Sequence, residues 1–125
     1  MRFMMLVKGN TDYEAGKPPS PDLMAAIGAY AEKSMRAGVL VEQGGLLPSA
    51  AGARIKVEGG KVRVIDGPFA EARELIGGYA IIEAASRAEA IRLGSEFMAI
   101  HAEVLGASFE GELEVRQLFE EPPCN

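Results

Sequence analysis

An antiparallel sheet with two helices on one face and a hairpin inserted midway is the fold that three features of this 125-residue chain predict. The first is a hairpin legible to the residue: ARIKVE, then Gly59-Gly60, then KVRVID. The second is a pair of capped amphipathic segments, opening at Ser20-Pro21 and at Ser86-Arg87-Ala88-Glu89. The third is a set of short apolar runs closed by glycine, proline and asparagine. The order is strand, helix, strand, hairpin, strand, helix, strand. With the hairpin set aside this is βαββαβ, the ferredoxin-like plan of the α+β class.

Each element follows from local chemistry. Residues 3–8 are apolar and end at Gly9-Asn10, which predicts a strand. Residues 11–19 are polar, with Gly16, Pro18 and Pro19, and predict a loop. Ser20 can accept a bond from a free amide, Pro21 fits the first helical position, and Asp22 suits the positive end of a helix. Leu23, Ile27, Ala31, Ser34 and Met35 repeat at helical spacing, and Gly38 ends the run. Residues 39–47 predict a second strand loosened by Gly44-Gly45, and residues 48–52 a turn. A two-residue turn at Gly59-Gly60 sets Glu58 opposite Lys61, Val57 opposite Val62, Lys56 opposite Arg63 and Ile55 opposite Val64. Apolar meets apolar and polar meets polar, so pattern and turn agree. Residues 79–83 are apolar enough for a central strand. Ser86 and Glu89 form a capping box in which each satisfies the other's backbone amide. Ala90, Gly94, Phe97, Met98, His101 and Leu105 then share one helical face, and residues 112–119 close the sheet. Residues 1–120 read as a single domain and residues 121–125 as a tail.

Composition narrows the function. Apolar content of 48% and charged content of 25% suit a soluble globular domain. The net charge of −5 argues against direct binding of nucleic acid, which needs a cationic surface. The opening MRFMMLVKGN is too short for a signal peptide or a membrane span, so a cytoplasmic protein with no membrane association is expected. Cys124, near the end of the chain, and His101 are each the only residue of their type, which is too few for a zinc site. No strand–turn–helix serine elbow is present, and the three glycine pairs are not phosphate-binding loops. No cofactor and no metal are expected. A sheet with helices on one face leaves the other bare, so a homodimer is expected.

The segment DGPFAEARELIGGYAII raises the question of a site. Turn chemistry alone accounts for Asp66, Gly67 and Pro68. It leaves Phe69 unexplained, a large apolar group straight after a tight turn, and a carboxylate ending an apolar strand half in the core. A carboxyl in such surroundings favours its neutral form and suits acid/base work. Phe69 would be a pocket wall beside Gly67 and Pro68, with Glu71 close enough to share the site. Tyr30 stands at the edge of the first helix's apolar stripe, where a tyrosine packs its ring and leaves its hydroxyl wet. His101 falls on an apolar face, where a lone histidine is more often a hydrogen-bonded core residue than a ligand. Arg54, Lys56 and Arg63 share one hairpin face, either solvated or a contact surface for an acidic partner.

The same segment resembles the signature of the DGPF-domain proteins, within the YCII-related family. The opening RFMMLVK, the helix ending in AGVL, the LLPS turn, the GARIKV…GGKVRVIDGPF hairpin and the closing EVRQLFE agree in order. The resemblance implies a dimeric α+β barrel, in which two ferredoxin-like sheets pack face to face. It also implies a histidine–aspartate acid/base pair, of which Asp66 is present. Tyr30 stands near the place of the helix-one histidine, which is absent. Two readings follow. One is a cofactor-free acid/base enzyme, lyase or dehydrochlorinase-like, acting on a small organic molecule held between the first helix and the sheet or between subunits, with Asp66 as the acid/base group and Tyr30 or His101 assisting. The other is a dimeric binding or regulatory module linked to an extracytoplasmic-function sigma factor.

Overall fold

The computed structural model describes residues 1–70 and 74–120. Its elements are β1 (Arg2–Lys8), α1 (Thr11–Glu14), α2 (Pro21–Arg36), β2 (Leu40–Gly45), β3 (Ala53–Glu58), β4 (Lys61–Asp66), β5 (Ile76–Glu83), α3 (Arg87–Leu105) and β6 (Leu113–Gln117). Four strands form one antiparallel sheet in the order β2-β5-β1-β6, and β3 and β4 form a separate pair. Without the hairpin, that order is the ferredoxin-like one. β5 is central, as its apolar run predicts.

Strand alternation decides what is buried. Phe3 and Met5 point toward the helices, opposite Ile82 and Ala80, and Val115 joins them from β6. These residues, with Ala84, Ala90 and Leu93, make one core. Phe3 is 2% exposed and fills its centre. Gly94 lets α3 settle on β6: a Cβ there would stand 3.2 Å from Leu113 Cδ2. The opposite sheet face carries Met4, Leu6, Tyr79 and Ile81, all half-buried, with no layer of this chain across it among the described residues.

The helix starts follow their caps. Leu23 N donates to Ser20 Oγ at 3.3 Å, and Glu89 N to Ser86 Oγ at 3.1 Å. The second cap departs from the expected box. Glu89 accepts from the Ala85 amide at 2.7 Å, one residue before the serine. Residues 11–19 are not all loop. Asn10 accepts from Tyr13 N at 2.8 Å and nucleates α1, a single turn with no apolar repeat to announce it.

The hairpin has the predicted register to the residue. It stands off the main sheet, and β3 and β4 pack extensively only on each other among the described residues. One of its faces carries Ile55, Val57, Val62 and Val64, which are 71%, 72%, 68% and 65% exposed. Fully burying such a side chain is worth about 1.5–3 kcal/mol, most of it unrealised here. No helix among the described residues is long and apolar enough to cross a membrane.

Candidate functional site

Small residues open a cleft beneath α2. Gly28, Ala31 and Ser34 of α2 face Gly45 of β2 and Gly78 and Ala80 of β5, and the missing side chains leave a cleft of about 610 Å³. Met5, Val7 and Ile82 form its floor. Leu93, Phe97 and His101, four residues apart on α3, form its far wall. The volume is within the usual range for small-molecule sites, as is an apolar lining with few polar groups.

Those polar groups are specific. Tyr13 comes from α1, and its ring lies over Gly77. Its hydroxyl is sealed from solvent and has no hydrogen-bond partner among the described residues. Burial, and then the charge of Glu14, raise its pKa, so the hydroxyl is a neutral donor without an acceptor. Leaving such a group unpaired costs about 1–3 kcal/mol. Ser34 and Gln43 line the same cleft, Ser34 with its hydroxyl beside that of Tyr30.

Two residues singled out in the sequence stand in this cleft. His101 is buried, with its ring edge-on to Phe97 at 4.8 Å and stacked on Phe109 at 5.6 Å. Its Nδ1 is 3.0 Å from the Phe97 carbonyl, which can only accept. Nδ1 therefore carries a hydrogen and donates it to that carbonyl. Tyr30 also lines the cleft, but its hydroxyl is not simply wet. It donates to Glu96 Oε2 at 3.0 Å, bridging α2 to α3, and lies 3.4 Å from the Leu93 carbonyl. Burial, and then the bond to Glu96, push its pKa up to about 12. A pKa raised in the folded state means that the stabilisation is whole below about pH 10 and is lost as pH rises through about 12. Tyr30 is expected to be the last tyrosine to ionise in an ultraviolet pH titration, and Tyr30→Phe to remove that late phase.

Asp66 is elsewhere. It is exposed at the end of β4, pairs with Ala53, and borders no part of the cleft. The expectation that it stands half in the core is corrected, because the hairpin leaves the sheet and carries the strand end with it. Phe69 is half-buried in a second groove near Arg54, whose guanidinium lies 4.0 Å above its ring. A latch holds this segment. Glu14 accepts from the Ser49 amide at 2.8 Å and from its hydroxyl, and Ser49 Oγ accepts from Phe69 N at 3.0 Å. Gly67 N donates to Gly52 O at 2.9 Å. Gly67 is held inside this latch, whereas Pro68 is exposed. Glu71 and Cys124 lie outside the described residues. Among the described residues, no three His, Cys, Asp or Glu side chains come close enough together to hold a metal ion.

Tyr13, Ser34, Gln43 and the Glu14–Ser49 pair were not singled out by sequence reasoning. A signal existed for the cleft itself: Gly28 and Ala31 lie one turn apart on the first helix, and Gly77-Gly78 opens a central strand.

Residues 1–107 match the family described as the YCII-related domain. An uncharacterised protein of Rhizobium meliloti (strain 1021) is 36% identical over 69 residues, which are 55% of this chain and 56% of that protein. The chain thus spans little more than half the length of the curated relative it matches.

Proposed function

The chain belongs to the YCII-related domain family, and from that premise we propose that it binds a small, largely apolar organic molecule in the cleft beneath α2. The observation that carries this reading is the orphaned Tyr13 hydroxyl at the wall of an apolar cleft of about 610 Å³. A ligand with an apolar body and one acceptor atom would fill the space and, once the Tyr13 ring turns its sealed hydroxyl toward the cleft, give that hydroxyl its partner.

Acetophenone and ethylbenzene are matched probes, since only the first carries an acceptor. Isothermal titration should give acetophenone an advantage of about 1 kcal/mol, roughly fivefold in affinity. Tyr13→Phe should erase that advantage and raise the melting temperature of the free protein, because the unpaired donor is gone. Absence of binding by either probe would remove the cleft from consideration. A preference that survives in Tyr13→Phe would assign the polar contact to Ser34 or Gln43.

The acid/base reading, lyase or dehydrochlorinase-like, rests within one chain on His101, the only histidine of the sequence. Tyr30, held neutral, would serve as donor only by giving up its bond to Glu96. Asp66 can take part only in an assembly that encloses it. The same cleft serves a sensing role, and an extracytoplasmic-function sigma factor as its target rests on the resemblance alone. The homodimer belongs to this proposal too, through the open face of Met4, Leu6, Tyr79 and Ile81. Arg2 and Glu83 pair at 2.7 Å on its rim, and Arg2 holds the Glu83 carboxyl below the usual carboxylate range.

A further inference from the structure

We infer that the β3–β4 arm seats its aliphatic face on a second copy of this chain, and that Asp66 is enclosed only in that assembly. This rests on the homodimer proposed above and adds to it the part the arm plays.

Alternation and register put Ile55, Val57, Val62 and Val64 on one face of the arm, and Asp66 at the base of that same face. Whatever covers the aliphatic face reaches Asp66. An isolated two-stranded pair is marginal in water, and this one has no core of its own. Its four aliphatic side chains are each about two-thirds exposed. An uncovered patch of this kind on a soluble chain marks a contact surface.

Charge selects the occupant. The arm, residues 53–66, holds Arg54, Lys56, Lys61 and Arg63 against Glu58 and Asp66, a net +2. The whole chain is −5, so the rest of it carries −7. A basic arm on an acidic body is complementary to the body of an identical chain. Arg63 is partly neutralised by Glu58 at 3.3 Å and Arg54 lies over Phe69, which leaves Lys56 and Lys61 without a salt bridge among the described residues. In a two-fold pair closed through the open sheet faces of Met4, Leu6 and Ile81, each chain also gives an arm to the acidic body of the other and receives one. Nucleic acid fits the cations but offers nothing to the four aliphatic side chains.

Sedimentation velocity over a concentration series tests this with three proteins: wild type, the arm variant Val57→Asp/Val62→Lys, whose new charges attract across the pair, and the sheet-face variant Leu6→Glu. Ile81→Glu replaces the last if it fails to fold by circular dichroism. The arm lies outside the core, so its variant should keep the wild-type spectrum. Wild type should be a dimer, and the arm variant should dissociate at about 100-fold higher concentration. In a Cys124→Ser background, Asp66→Cys should react with a bulky maleimide slowly when concentrated and quickly when diluted. An arm variant that dimerises like wild type, with Leu6→Glu monomeric, overturns the arm and leaves the dimer standing. A wild type that is monomeric throughout overturns both. A labelling rate independent of concentration overturns the enclosure of Asp66.

Discussion

Gly67→Ala is expected to unseat the segment after the hairpin and lower the melting temperature by several degrees. A Cβ at residue 67 would lie 1.8 Å from the Ser49 carbonyl oxygen and 2.7 Å from its carbon. Both atoms are backbone, and Ser49 is fixed on two sides, by Glu14 and by Phe69. Neither side can yield without breaking the latch. Overpacking of this kind costs about 1–3 kcal/mol, roughly 3–6 °C per kcal/mol for a chain of this size. Gly52→Ala is the control, since its Cβ would meet the same oxygen at an ordinary 3.5 Å. Thermal melts of the two variants side by side check the claim. Equal melting temperatures would mean that the latch does not hold the segment.

Gly28→Leu is expected to move stability and binding in opposite directions. Gly28 lies in the middle of α2 and borders the cleft, and a Cβ there meets nothing within 4 Å. Replacing a mid-helix glycine by a good helix former gains about 0.5–1 kcal/mol. The new side chain occupies space that a ligand needs. The variant should therefore melt higher than wild type and bind acetophenone at least about tenfold more weakly, a difference of about 1.4 kcal/mol. Unchanged affinity in a stabilised variant would show that ligand does not use the α2 side of the opening.

Legibility in the sequence followed the range of the interactions. The hairpin register was readable because a two-residue turn and an apolar alternation impose the same pairing. The starts of α2 and α3 were readable because Ser20 and Ser86 act on amides three residues away. The sheet order was readable because chain order and handed connections leave few choices. Asp66 was misplaced for a longer-range reason. A strand that ends a hairpin resembles a strand entering a sheet, and nothing local tells whether the hairpin stays on the sheet. Phe69, the puzzle of its motif, is held by Ser49, twenty residues earlier in the chain. The cleft was legible as a place, between the first helix and the sheet, but not in its lining, which is made of absences: Gly28, Ala31, Gly45 and Gly78 carry no chemistry and meet only in three dimensions. Tyr13 escaped because α1 is one turn long, too short for periodicity.

These observations give the central segment two roles. Asp66 closes the arm, and Gly67 to Phe69 latch its base to α1 and to the 3-10 turn Ser49–Ala51. Glu14 and Tyr13 are neighbours in α1, one gripping the latch and the other bordering the cleft. The latch thereby holds the cleft wall in place, although its own residues line a different groove.

A carbon–proton chemical-shift map with acetophenone reports whether the cleft is a ligand site. Saturable shifts are expected at Ala31, Leu93, Phe97 and His101, the residues that face one another across the opening. Shifts confined to Val57 and Val62 on the arm, or no saturable shift anywhere, would contradict a ligand site in the cleft.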